Sequence, residues 1–85
     1  MPAKSVIFER KAEKQLPKLP PHIHKKIIES ISTLSQNPLK GVKLHGELAA
    51  YYKYRVGDYR IIYRFDQAKS QLIIITVEHR QGVYK

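Results

Sequence analysis

Lys53, Arg55, Arg60 and Arg64 fall in two consecutive runs that alternate between ring or aliphatic side chains and cations, at 51–56 and 59–66. A period of two is the mark of a strand. One face then carries Tyr52, Tyr54, Tyr59, Ile61 and Tyr63, and the other carries the four cations. Gly57-Asp58 between the runs is a tight hairpin signal, which sets Arg55 and Arg60 near each other across the turn. Like charges held that close repel, so the arrangement fits an anion lying over them. Guanidinium stays charged and grips two oxygens at once, which suits phosphate. The plainer reading is that exposed strand faces use Lys and Arg to deter aggregation.

Three further residues follow the last apolar run. His79 is a surface histidine or a proton-transfer group, since imidazole titrates at ~6.5. Arg80 adds another guanidinium beside it. Tyr84 is a docked hydrophobic anchor, a ring that stacks on a base, or a hydroxyl that moves a proton. A metal site is not expected: His22, His24 and His45 lack the carboxylate neighbours of a ligand set. Acidic pairs are too sparse for two-metal nuclease chemistry, and neither a phosphate loop nor a nucleophile elbow is present. No cofactor is expected.

The chain has 85 residues and a formal charge of +9, with 16 basic residues against 7 acidic. The excess is spread along the chain: eight basic against three acidic in residues 1–42, and eight against four in 43–85. Such an excess attracts polyanions at long range and makes association salt-sensitive. The length fits one domain, 1–85, with a modest core and no elaborate buried pocket. Cysteine is absent, which excludes disulfides, thiolate zinc sites and a cysteine nucleophile, and agrees with a cytoplasmic location. No apolar run approaches the roughly 18 residues of a membrane span, and the first residues lack a signal-peptide core. No membrane partner is expected.

The elements that must hold the cations follow from periodicity. Ser5-Val6-Ile7-Phe8 reads as a short strand. Residues 9–16 read as a charged helix with Ala12 and Leu16 on one face. Pro17, Pro20 and Pro21 end it, and Pro20 or Pro21 opens a second helix that runs to about Ser35. Its buried stripe is Ile23, Ile27, Ile31 and Leu34, with Lys25, Lys26 and Glu29 outward, and Asn37-Pro38 stops it. The helices read as an antiparallel hairpin. Leu72–Val77 is apolar on both faces, as in an inner strand. The order is βααβββ: an α+β fold with a two-helix hairpin packed on a small, mainly antiparallel sheet.

The segments Lys43-Leu44-His45-Gly46, Tyr52-Lys53-Tyr54-Arg55-Val56-Gly57-Asp58-Tyr59-Arg60-Ile61-Ile62-Tyr63 and Val77-Glu78-His79-Arg80 through Val83-Tyr84 resemble the RelE toxins of bacterial and archaeal toxin–antitoxin systems. The resemblance covers nearly the whole chain in element order and is strongest in its second half. Its central run is specific to the RelE/ParE superfamily and does not separate the ribonuclease branch from the gyrase-inhibiting one. It implies a RelE-like fold and a type II toxin acting as a ribosome-dependent mRNA endoribonuclease. Such a toxin enters the 30S A site, cuts the mRNA codon there and is held inactive by a cognate antitoxin.

By motif match, the resemblance assigns catalysis to Lys53 and Arg55 as the basic pair, to Arg60, and to Arg80 and Tyr84, with His79 a further candidate. At the second position of the pair the family often has Lys. Lys43, Arg64 and Lys85 are the expected RNA-binding flank. Gyrase-inhibiting relatives generally lack the full set, which favours RNA cleavage. The chemistry agrees. A 2′-hydroxyl attacks the adjacent phosphate without metal if cations stabilise the dianionic transition state. The general base stays open, because Lys at ~10.4 and Tyr at ~10 are poor bases near neutral pH. Two alternatives stand beside this reading: a ParE-like DNA gyrase inhibitor, and a catalytically inactive module of the same fold that only binds antitoxin.

Overall fold

The first strand is short because its apolar stretch is short. In the computed structural model, which describes residues 2–46 and 50–79, β1 is Ser5–Phe8. Helix α1, Arg10–Gln15, follows at once and tightens into a single 3-10 turn at Leu16–Lys18, where Pro17 removes a backbone donor. Helix α2, Pro21–Gln36, starts with Pro21 in its first turn, where the missing N–H costs nothing. Its stripe is buried as the spacing requires: Ile27, Ile31 and Leu34 fully, Ile23 in part. Asn37 ends it, and Pro38 prevents its continuation.

Four strands follow where the periodicity predicts three. The extra one, β2, is only Val42–Lys43. Two residues carry no readable period, so only pairing with β3 defines it. The others are β3 (Tyr52–Val56), β4 (Tyr59–Asp66) and β5 (Gln71–His79). β5 runs beyond the apolar stretch: His79 pairs with Tyr59, so it lies within the strand and not after it.

The sheet order is β1-β5-β4-β3-β2, with β1 parallel to β5 and every other pair antiparallel. β5 is thus an inner strand, in keeping with its two apolar faces. One sheet face buries Tyr63, Ile61, Leu72, Ile74 and Val77 together with Ala12 of α1 and the α2 stripe. Tyr52, Tyr54, Val56 and Tyr59 pack against the same core in part. The α+β architecture is therefore two helices on one face of a mixed five-stranded sheet; the other face, open in the sense that no helix among the described residues packs on it, still buries Ile73 and Thr76.

Two local devices fix the geometry. Where β1 ends, Glu9 N–H donates to the Ile74 carbonyl, and the Gln15 amide oxygen then accepts from Val77 N–H (2.8 Å) and the Thr76 hydroxyl (3.0 Å). Helix α1 thereby supplies an acceptor that a longer β1 would have provided. The second device is Tyr63. Its buried hydroxyl donates to the Pro38 carbonyl (2.7 Å) and accepts from Gly41 N–H (2.9 Å), clasping the segment between α2 and β2 to the sheet.

A candidate anion site on the open sheet face

The β3–β4 hairpin closes through Gly57-Asp58, with Gly57 at a φ of 60° and Asp58 on the ordinary side, the pattern of a two-residue II′ turn. The register that follows pairs Arg55 with Arg60, Lys53 with Ile62, and Tyr54 with Ile61. Since Ile61 is in the core, the other two pairs face away from it. Lys53, Arg55 and Arg60 therefore share the open face, as the alternation requires. Arg64 shares it too, opposite Ile73 and about 13 Å along β4 from Arg60. It flanks the cluster and does not join it.

Neither arginine of the central pair hangs free. Arg55 donates through Nε to the Gly57 carbonyl (3.1 Å). Arg60 donates through Nε to Glu78 Oε1 (3.2 Å), across the β4–β5 ladder, with both side chains about one-third exposed. The alternation pattern gives no hint of Glu78. The only sequence signal is that it is the one acid in the last strand.

A β-bulge accounts for its arrival. From Asp66 to Tyr63 the partners run Gln71, Leu72, Ile73, Ile74; Ile62 then pairs with Thr76, which leaves Ile75 without an opposite number. The extra residue reverses the facing of the rest of β5. Val77 turns into the core beside Ile61, and Glu78 faces Arg60.

An open cleft of ≈ 350 Å³ lies at this bulge. Leu44, Ile62 and Ile75 give it apolar walls, Tyr51 a ring, and Arg60, Thr76 and Glu78 polar groups. One guanidinium and its carboxylate partner thus border an apolar, ring-bearing recess.

The remaining candidates separate. Lys43 pairs with Tyr52 in the register of the helix-covered face, and Val42, 61 % exposed, takes the place beside Lys53. His79 pairs with Tyr59 and meets its ring edge-on at 4.7 Å, on the face opposite Arg60 and Glu78. Strand parity is the reason in both cases. Arg80, Tyr84 and Lys85 lie outside the described residues. No group of three or more His, Asp or Glu able to hold a metal occurs among the described residues, and no helix there is long and apolar enough to cross a membrane.

Fold and site together define a class: a small α+β domain with helices on one sheet face and a cationic cluster on the other. Comparison with known proteins carries this further. A family model described as the ParE toxin of type II toxin–antitoxin systems, parDE, matches residues 6–84. Toxin RelG of Mycobacterium tuberculosis (strain ATCC 25618 / H37Rv) is 37% identical over 83 residues, 95% of this chain and 95% of that protein. The toxin–antitoxin complex RelBE2 from Mycobacterium tuberculosis contains a chain that superposes with a TM-score of 0.84 at 38% identity, covering 94% of each chain. The RelB–RelE complex of Methanococcus jannaschii does so at 0.72 and 31%, over 93% of this chain and 95% of that one. The E. coli RelBE complex shares the fold at 0.77 and 18% identity, over 87% and 93%. The chain belongs to the RelE/ParE family of type II toxin–antitoxin toxins.

Proposed function

We propose that this toxin is a ribosome-dependent mRNA endoribonuclease that cuts codons in the 30S A site without metal. The observation that carries the reading is the direct cross-strand pairing of Arg55 with Arg60 beside Lys53 on the open face. Three cations around the single carboxylate of Glu78 leave that face net positive, which favours a polyanionic ligand.

In the reaction, the 2′-oxygen bonds to the neighbouring phosphorus and gives up its proton. The bond from phosphorus to the 5′-oxygen breaks, and that oxygen takes a proton. The products are a 2′,3′-cyclic phosphate and a free 5′-hydroxyl. Arg60, with Lys53 and Arg55, stabilises the extra negative charge on the phosphoryl oxygens, a role that needs no metal when the donors are held in advance. By family resemblance Arg80 and Tyr84 complete the set, with His79 the less favoured participant. Like the proteins crystallised as RelB–RelE complexes, the toxin has a cognate antitoxin, and it acts in the cytoplasm.

The test is primer extension on translated mRNA after induction. Codon-phased cuts are expected from the unsubstituted protein. They should be lost in Arg60→Ala, with the circular dichroism spectrum unchanged. Absence of phased cuts, or their persistence in Arg60→Ala, would count against the reading. One observation favours a second reading, gyrase inhibition: the matching family model is the one named for ParE. That reading predicts a DNA-damage response with intact mRNA.

A further inference from the structure

A carboxylate on a phosphate-binding face is a cost, because it weakens the attraction the cations provide. Glu78 is on that face all the same, bonded to Arg60. Its place there depends on the bulge at Ile75, since an unbroken register would turn Glu78 toward the helices. Bulges of this kind are over-represented beside active sites, where they re-aim a side chain.

The atom that Glu78 contacts matters most. It accepts from Nε, the inner nitrogen of the guanidinium, and not from the terminal pair. Arg55 is tethered the same way, through Nε to the Gly57 carbonyl. Two neighbouring guanidiniums are thus each held at the root, and among the described residues their terminal nitrogens are left for an incoming phosphate. A partly exposed ion pair adds little stability. Its effect on geometry is larger, since it removes rotamer freedom from a long side chain before the ligand arrives.

We propose that Glu78 is a positioning residue for Arg60, aiming the terminal guanidinium nitrogens at the scissile phosphate. The inference rests on the ribonuclease reading above. It differs from a general-base role, in which the carboxylate itself would take the 2′-hydroxyl proton. Glu78→Gln separates the two, because an amide oxygen still accepts from Nε–H while an amide is no base at neutral pH.

The experiment has two arms on the whole toxin. In the first, single-turnover cleavage is followed on mRNA-programmed ribosomes. Glu78→Ala should lower the rate at saturating ribosome by about 10- to 100-fold. Half-saturation should be unchanged or tighter, since a negative charge has gone. Glu78→Gln should keep most of the rate. A Gln variant as slow as the Ala variant, or an Ala variant as fast as the parent, overturns the proposal. In the second arm, the Arg60 Nε–Hε signal is followed by NMR without ribosome. It should be protected from exchange in the parent and in Glu78→Gln, and exposed in Glu78→Ala. An unchanged signal in Glu78→Ala overturns the proposal by itself. A parent protein that cuts nothing removes the ribonuclease reading instead, and the NMR arm still decides whether Glu78 holds Arg60.

Discussion

Replacing Tyr63 by Phe removes one oxygen atom and two hydrogen bonds. The side chain is fully buried and stacks on Tyr52 with ring centroids 5.4 Å apart, contacts that Phe keeps. The lost partners are the Pro38 carbonyl at 2.7 Å and Gly41 N–H at 2.9 Å. Pro38 is buried and Gly41 half-buried, so water replaces these bonds poorly. Leaving a buried polar group unpaired costs about 1–3 kcal/mol. Pro38 should bear most of that cost and Gly41 less, for a total of about 2–3 kcal/mol. A domain of this size has about 4–13 kcal/mol to lose, so the variant should fold with Tm lowered by about 10–20 °C. Urea denaturation followed by circular dichroism measures it, with the midpoint falling and the slope unchanged. A loss below about 0.5 kcal/mol, well short of one ordinary hydrogen bond, would refute the clasp. The clasp bears on function because it leads the chain into β2, next to Lys53 and Leu44.

Four other outcomes follow from the same geometry. Burial pushes the Tyr63 phenol above its ordinary value of 10.0, with the Gly41 N–H bond opposing and the neighbouring Tyr52 and Tyr54 adding to the rise. Folding thus favours the protonated form: its stabilisation is complete below pH 10.0 and is lost as pH climbs toward and through the raised value. Thermal melts of the parent above pH 10.0 should show an alkaline loss that Tyr63→Phe lacks. Gly41→Ala would set a Cβ 2.5 Å from Tyr63 Oη and 2.7 Å from the Lys53 carbonyl, and should destabilise by at least about 1–3 kcal/mol in the same urea assay. Gln15→Ala strips Val77 N–H and the Thr76 hydroxyl of their acceptor; it should cost about 1–3 kcal/mol and speed exchange of the Val77 amide. Under the ribonuclease reading, Lys53→Ala should reduce the slope of log affinity against log salt for single-stranded RNA by about 0.7, read by fluorescence anisotropy.

Periodicity alone settled much of this molecule. The 3.6 spacing of Ile27, Ile31 and Leu34 defines the buried side of α2, and the prolines around it define where helix cannot continue. The alternation in 52–56 and 59–66, joined through Gly57-Asp58, sets Lys53, Arg55 and Arg60 on one face, because a two-residue turn leaves little choice of register. Those relations are local, and a chain read in order contains them.

Tertiary structure decided what lies across strands that no tight turn locks. β5 is apolar on both faces, so its sequence permits either facing; the bulge at Ile75 chooses one, and with it whether Val77 or Glu78 meets Arg60. Pairing parity likewise sends His79 and Lys43 to the other face, and β2 exists only as a partner of β3. The cationic patch was therefore legible in the sequence. The acid that holds its central arginine was not, since one extra residue in the β4–β5 ladder, which only pairing reveals, reverses every β5 side chain beyond it.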